Sequence, residues 1–152
     1  MRLTLHTDYA LRVLIYATLK RGELTTIQEI AEHFGISKNH LMKVVHQLGR
    51  RGYLATLRGK NGGFRIARAP GEINVGNVVR ATEDANEMLA CLRGPGLCRI
   101  DRHCVLQGAV QDARRAFLAV LDRYTLEDLV KPGSRLAGAL AADLDIAAAA
   151  GG

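Results

Sequence analysis

Three cysteines lie within fourteen residues of one another in this chain of 152 residues. They are Cys91, Cys98 and Cys104, and the sequence has no others. An odd number of cysteines cannot pair entirely as disulfides within one chain. The gaps of six and five residues are wider than the two to four that are typical of structural zinc sites. Loosely spaced thiolates suit a larger inorganic group, so the predicted cofactor is an iron–sulfur cluster.

Such a cluster is ordinarily held by four protein ligands, so the chain must supply a fourth. The candidates are the acidic and histidine side chains His6, Asp8, Glu87, Asp101 and His103. His103 adjoins Cys104 in sequence, but neighbouring side chains often point apart. Asp8 is distant in sequence and has an ordinary role available, a salt bridge to Arg12 one helical turn later. Spacing alone does not decide between the candidates.

Charge divides the chain into two unequal halves. Residues 1–70 carry twelve Lys and Arg against four acidic residues, whereas residues 71–152 carry nine against eleven. Within the first half, residues 37–68 hold eight basic side chains and no acidic one. A solvated surface ordinarily mixes both signs, so this segment predicts a binding surface for a polyanion. A basic face that serves solubility alone is the alternative.

The first half is predicted to form a helix-turn-helix. Apolar side chains on one face indicate a first helix over residues 8–20. The capping box Thr26–Glu29 opens a second helix, and Gly35 suits a left-handed C-cap. Ser37 caps a third helix. Its apolar stripe is Leu41, Val44, Val45 and Leu48. In this motif the later helix lies in the major groove of DNA.

A basic hairpin is predicted directly after the third helix. Two short strands, Tyr53–Leu57 and Phe64–Ile66, flank the loop Arg58–Gly63. Asn61-Gly62 predicts a tight turn in this loop because both residues can take a positive φ. A helix-turn-helix followed by a basic hairpin is the pattern of a winged helix. The predicted fold class is therefore mainly α with a small β wing, followed by a long C-terminal dimerisation helix.

That long helix follows a linker at residues 69–71, a short apolar helix near Val75–Ala81 and the cysteine loop. Its apolar residues alternate at spacings of four and three, namely Leu106, Val110, Ala113, Phe117, Val120 and Tyr124. A seam with this period predicts a coiled-coil dimer interface, and an amphipathic helix packed within one chain is the alternative. Thr125–Asp128 then caps a last short helix.

These elements predict three regions. A winged-helix DNA-binding domain spans residues 1–70, a cluster-binding loop and dimerisation helix spans residues 71–135, and a flexible tail spans residues 136–152. No run of eighteen apolar residues predicts a membrane span, and no signal peptide is visible. Free cysteines in such a chain predict a reducing cytoplasm. Catalysis is not expected, because the sequence offers no Cys–His–Asp arrangement in a rigid setting.

The predicted DNA contacts lie at the start of the third helix and in the wing. They are Ser37, Lys38, Asn39, His40, Lys43, Arg58, Lys60 and Asn61. Asn39 can pair bidentately with adenine, and Lys43 can reach guanine or phosphate. Ser37 suits a phosphate at the helix N-terminus, although capping alone explains it equally well. Arg58 and Lys60 suit a narrow minor groove, where the negative potential is highest.

Four segments, in order, resemble the NsrR-like nitric-oxide-sensing repressors, part of a winged-helix family that also includes the iron–sulfur regulator IscR. The segments are Met1–Arg12, Ser37–Lys43, Arg58–Gly63 and the cysteine triplet, and the resemblance covers roughly residues 1–130. It implies a cluster held by the three cysteines and by Asp8 of the partner subunit, as 4Fe–4S in preference to 2Fe–2S. IscR-like proteins instead use a histidine just after the third cysteine, where this chain has Val105-Leu106-Gln107.

The resemblance also implies a function. A homodimeric repressor would bind a pseudo-palindromic double-stranded operator of nitric-oxide detoxification genes and release it when nitric oxide nitrosylates the cluster. An iron–sulfur regulator of the same fold that senses general redox stress or cluster status is the alternative. A metal-free thiol switch is a third possibility, and it would be colourless where a cluster protein is brown.

Overall fold

The computed structural model describes residues 3–83, 100, 104–131 and 139. Its elements, in chain order, are α1 (Leu5–Leu19), α2 (Ile27–Phe34), α3 (Lys38–Arg50), β1 (Leu54–Leu57), β2 (Gly63–Ile66), a 3-10 helix (Pro70–Glu72), α4 (Val75–Thr82), α5 (Val105–Leu121) and α6 (Leu126–Leu129). The predicted fold class, mainly α with a small β wing, is confirmed. Within the described ranges, no helix is both long and apolar enough to cross a membrane.

Local side-chain caps define the helix-turn-helix as the sequence predicts. The Thr26 hydroxyl accepts the backbone N–H of Glu29 at 3.1 Å, and the Glu29 carboxylate accepts that of Thr26 at 3.3 Å. Gly35 ends α2 in the left-handed region with φ 64°. Ser37 caps α3, whose stripe Leu41, Val44, Val45 and Leu48 is buried. The turn between α2 and α3 is thus fixed at both ends, by Gly35 and by Ser37.

Helix α1 begins at Leu5, three residues before the predicted start. The Thr4 hydroxyl caps it by accepting the backbone N–H of Thr7 at 3.3 Å. The Thr4 N–H in turn donates to the Glu83 carboxylate at 2.7 Å. The cap is local and was missed in the sequence, whereas the contact of Thr4 with Glu83 lies far along the chain. The consequence is that Asp8 lies in the first turn of a regular helix.

The wing is an antiparallel pair whose register runs from Leu54 opposite Ile66 to Leu57 opposite Gly63. The predicted hairpin is confirmed, but its predicted turn is wrong. Asn61 and Gly62 do not take positive φ; in this loop Gly59 does, at 120°. The Gly62 N–H donates to the Gly59 carbonyl at 3.0 Å, which closes the loop. Gly62 is needed for close approach, since an added Cβ would lie 2.5 Å from the carbonyl oxygen of Leu57.

One hydrophobic core runs through the described part of the chain. Helix α1 supplies Ala10, Val13, Leu14, Tyr16 and Ala17, and it packs on α3, on α4 and on the wing. Ile73, Val78 and Leu126, from beyond residue 70, belong to the same core. The region after the wing is therefore packed into the same core as the helix-turn-helix and the wing. The functional division at residue 70 remains a prediction.

Helix α5 contributes no buried residue to this core. Along the predicted seam, Leu106 is 62% exposed, and Val120 and Tyr124 are about half exposed. Tyr124 lies beyond the helix, which ends at Leu121. The Asp122 carboxylate after it forms two contacts of 2.6 Å with Arg80 of α4. This anchors the C-terminal end of α5 and leaves its apolar seam open to solvent in a single chain.

The last described turn follows its predicted pattern. The Thr125 hydroxyl accepts the backbone N–H of Asp128 at 3.3 Å, and the Asp128 carboxylate accepts the Thr125 N–H at 2.8 Å. This capping box opens α6 and is confirmed. The predicted tail over residues 136–152 lies outside the described residues apart from residue 139.

Candidate DNA interface and cluster ligands

The outer face of α3 is polar, basic and open to solvent. Burial of its apolar stripe turns the remaining side chains outward, and those exposed are Lys38, Asn39, His40, Met42, Lys43, His46 and Arg50. No residue of this helix is acidic. The structure thus brings Ser37, Lys38, Asn39, His40 and Lys43 together at one exposed helix end, as predicted. Met42 and His46, which were not among the predicted contacts, are exposed on the same face at helical spacing from Asn39.

The predicted wing residues Arg58, Lys60 and Asn61 are all exposed on the loop between the strands. Arg68, from the same basic segment, has a different role. Its guanidinium donates to the carbonyl of Gly52 at 2.9 Å and to that of Arg51 at 3.1 Å. It also lies 5.3 Å from the ring centre of Tyr53. Arg68 therefore closes the base of the wing, which leaves the loop cations for an anionic partner.

Helix α3 is held from the side by α1 and α4. The Tyr9 ring lies 6.1 Å from the ring of His40. Gln47 donates its side-chain amide to the Ala81 carbonyl at 2.8 Å, and its amide oxygen contacts Nε2 of His6. The contacts that α1 makes with α3 come from His6 and Tyr9, which lie three positions apart on α1. The orientation of the reading helix therefore depends on the N-terminal turns of α1 and on the end of α4.

A second polar network fixes α1 to α2. The Glu29 carboxylate accepts hydrogen bonds from the Tyr16 hydroxyl at 3.0 Å and from the Lys20 ammonium at 2.9 Å. Burial alone would raise the pKa of Glu29, but these donors and the Thr26 N–H outweigh it and lower that pKa below its ordinary value. Burial, together with Glu29, raises the pKa of Tyr16. The network is structural and anchors the helix that precedes the turn.

Asp8 forms the salt bridge that its spacing from Arg12 allows. The Arg12 Nε lies 3.1 Å and 3.0 Å from the two carboxylate oxygens of Asp8, and the nearer Nη is 3.0 Å from one of them. The Asp8 side chain is 42% exposed. Arg12 also lies 5.6 Å from the ring centre of Phe34, at the end of α2. The Asp8 carboxylate is thus accessible to a group outside this chain, while Arg12 contacts Phe34 of the helix-turn-helix.

Cys104 is a half-buried free thiol at the N-cap position of α5. Cys91 and Cys98 lie outside the described residues, as do the other candidate ligands Glu87, Asp101 and His103. Across the residues that the structure describes, no three His, Cys, Asp or Glu side chains gather as a metal site. The ligand set Cys91, Cys98, Cys104 and Asp8 therefore stays a prediction. His6, another candidate, is engaged with Gln47.

Comparisons with known proteins agree with this architecture. The model of the Rrf2 family, described as an iron-dependent transcriptional regulator, matches residues 3–132. The transcriptional regulator NsrR of Bacillus subtilis is 51% identical over 133 residues, which cover 86% of this chain and 91% of that protein. The oxidised form of Staphylococcus aureus CymR is similar in structure, with a TM-score of 0.67 at 25% identity over 86% of this chain and 97% of that one.

A structure of IscR from T. potens shares the fold, with a TM-score of 0.68 at 22% identity and 90% coverage of each chain. The match over residues 3–132 includes the helix-turn-helix, the wing, the cysteine segment and α5. This match agrees with the observed fold, which has a helix-turn-helix with a basic outer face and a wing. The chain therefore belongs to the Rrf2 family of winged-helix transcriptional regulators.

Proposed function

We propose that this regulator is a cytoplasmic homodimeric repressor whose iron–sulfur cluster senses nitric oxide and thereby controls operators of nitric-oxide detoxification genes. The observation that carries the proposal is the cysteine triplet. It follows an exposed basic reading face within a chain that is 51% identical to a regulator named NsrR. No catalytic role is proposed, because the relatives are regulators and the exposed basic surface suits nucleic acid.

The residues of the chain fit such a cluster in their chemistry. Cys91, Cys98 and Cys104 would supply three soft thiolates, and Asp8 of the partner subunit would supply one hard oxygen. Thiolates bind the irons of such clusters better than carboxylate does, so the iron at the aspartate would be the most exchangeable. The cluster would supply the iron with which nitric oxide reacts. Four irons with four ligands are favoured over a 2Fe–2S centre.

The described contacts support these positions for two of the ligands. Asp8 is 42% exposed on α1, so a group outside its own chain can reach it. Cys104 precedes the first turn of α5, where backbone N–H groups favour a negatively charged neighbour. To bind iron, the Asp8 carboxylate would leave the Arg12 guanidinium, which is held at about 3 Å in the isolated chain. Ligand exchange at Asp8 would therefore alter a contact beside the helix-turn-helix.

A dimer would place two copies of α3 on the DNA. The seam of α5 offers exposed Leu106 and half-buried Val110 and Phe117 to a second copy, since none of the residues in this helix is fully buried within one chain. Two recognition helices related by a twofold axis require a pseudo-palindrome whose half-sites lie about one helical turn apart. The basic segment 37–68 would neutralise phosphates, so affinity should fall steeply with added salt.

Contacts between α1 and α3 give the sensor a route to the DNA. Tyr9 follows Asp8 directly, and its ring lies 6.1 Å from that of His40 on the recognition helix. His6, two residues before Asp8, contacts Gln47 on the same helix. A change in the position of Asp8 would therefore bear on both ends of α3. A change at Asp8 would thus alter the position of α3 and, in the dimer, the distance between the two recognition helices.

The proposal is tested with protein purified without oxygen. Iron and sulfide would be quantified together with the absorption spectrum, and operator affinity would be measured during titration with nitric oxide and, separately, with peroxide. We expect a brown protein whose affinity falls with nitric oxide. Equal release by peroxide would favour the redox-sensing alternative, and a colourless protein with an unchanging affinity would contradict both.

Single-cysteine variants test the ligand set in the same assay. Cys91→Ala, Cys98→Ala and Cys104→Ala should each lose stable cluster incorporation, because at most two native thiolates would remain. A variant that keeps full iron content and ordinary colour would show that its cysteine is not a ligand. Thermal unfolding of each apoprotein serves as the control, because it verifies that the variant still folds.

A further inference from the structure

One large apolar side chain lies on the otherwise polar outer face of α3. Met42 is 50% exposed, and its neighbours one turn away, Asn39 and His46, are exposed and polar. A single exposed methionine is ordinary on a protein surface. This one, however, lies in the N-terminal half of the helix, which is the part that contacts base edges in a helix-turn-helix. A group that contacts Met42 would therefore lie on the DNA.

Helical spacing gives the position of Met42 around the axis of α3. Lys38 and Gly49 lie on the same side of α3 by helical spacing. Gly49 faces the wing, because a Cβ placed on it would lie 3.6 Å from the Thr56 methyl group. Met42 is thus on the edge of the outer face that turns toward the wing, whereas His40 and Gln47, which contact α1, are on the opposite edge. Met42 therefore lies on the side of α3 that is nearer the wing.

We infer that Met42 recognises the C5-methyl group of a thymine in each operator half-site. The inference rests on the proposed function, in which α3 enters the major groove. There the thymine methyl is the apolar group among base edges that otherwise present hydrogen-bond donors and acceptors. A thioether side chain donates no hydrogen bond and adapts its shape to an apolar partner. Asn39, one turn before Met42, and Lys43, directly after it, would supply the polar contacts to neighbouring bases.

The test removes the methyl group and nothing else. An operator would first be selected from random DNA with the full-length protein, and each symmetric pair of thymines would then be replaced by deoxyuridine. Burial of one methyl group corresponds to about fourfold in affinity for each half-site. Because each pair removes two methyl groups, we expect one thymine pair at which the affinity of the wild-type protein falls about sixteenfold.

Two variants and one control assign that loss to the side chain. Met42→Ala should bind the thymine and deoxyuridine operators equally, and Met42→Leu should keep the preference because it remains apolar. Leu5→Ala, an exposed apolar residue of α1, should retain the wild-type preference. Half-exposed Met42 tolerates truncation, and circular dichroism would verify that each variant is folded.

The outcomes separate this inference from the proposed function. A selected operator at which no deoxyuridine pair weakens the wild-type protein would overturn the inference and leave the DNA-binding function in place. A methyl preference that persists in Met42→Ala would do the same. Failure to select any sequence would overturn both.

Discussion

A hydrogen-bonded contact between Thr4 and Glu83 joins the start of α1 to the end of α4. The backbone N–H and the hydroxyl of Thr4 both donate to one oxygen of the Glu83 carboxylate, at 2.7 and 3.0 Å, across seventy-nine residues of sequence. Thr4 caps the helix that carries Asp8, and Glu83 is the last described residue before the cysteine segment. The Thr7 hydroxyl reinforces the junction by donating to that of Thr82 at 2.9 Å. The end of α4, which precedes the cysteine segment in sequence, is thereby fastened to the helix that carries the proposed fourth ligand.

Glu83→Ala should therefore destabilise the apoprotein. It leaves the N–H of Thr4 without its acceptor in a half-buried place, which costs about 1–3 kcal/mol of unfolding free energy. Urea denaturation of the apoprotein would measure this. Glu23→Ala is the matched control, because the Glu23 side chain is 77% exposed and lies 3.7 Å from Lys20. It should change the unfolding free energy by less than about 0.5 kcal/mol. Equal effects in the two variants would deny the junction a structural role.

A pH dependence follows from the lowered pKa of Glu29. Its ionised form is favoured by Lys20, Tyr16 and the Thr26 N–H in the folded state, so the folded pKa lies below the ordinary value of 4.5. The stabilisation is fully present above that value and is lost as the pH falls through the folded pKa. Glu29→Gln keeps an acceptor for the capping box but removes the charge. Its apoprotein should show a flatter loss of stability below about pH 4.5 in acid-titrated denaturation.

Two arginines of the basic segment should differ in what they affect. Arg58→Ala should weaken operator binding by about 1–3 kcal/mol and reduce its salt dependence, with folding unchanged. Arg68→Ala should instead lower the melting temperature, because it removes the hydrogen bonds to the Gly52 and Arg51 carbonyls. Fluorescence anisotropy at several salt concentrations, with thermal unfolding beside it, separates the two effects. An unchanged affinity in Arg58→Ala would exclude the wing tip from the interface.

The features that the sequence predicted well are those governed by neighbours along the chain. Thr26, Gly35 and Ser37 bond within a few residues, so the helix-turn-helix and its boundaries followed from local pattern. The prediction of the wing turn was wrong because the loop has three glycines, any of which could take a positive φ. Gly59 takes the left-handed conformation, while Gly62 is required by the nearby Leu57 carbonyl, a contact that no local pattern reveals.

The remaining errors and omissions involve distant partners. Thr4, which caps the early start of α1, also contacts Glu83 seventy-nine residues later. The structural role of Arg68 depends on carbonyls seventeen and sixteen residues earlier. The seam of α5 was predicted to reach Tyr124, but the helix ends before it, where Asp122 pairs with Arg80. The exposure of Lys38, Arg58 and Lys60 was easier to predict, because a run of basic residues without acidic ones requires exposure whatever the fold.

The fourth ligand gives the riskiest prediction. Asp8→Ala should leave a coloured protein, since three thiolates retain most of the binding, but its reaction with nitric oxide and its operator affinity should both change. The substitution also breaks the salt bridge with Arg12, so Arg12→Gln is the matched control. Arg12→Gln removes the same bridge while sparing the carboxylate and should keep the wild-type kinetics of nitric-oxide reaction, measured by stopped-flow absorption. His103→Ala should also behave like the wild type. If His103→Ala alters the cluster while Asp8→Ala is silent, the fourth ligand is local and the route from the partner subunit through α1 is wrong.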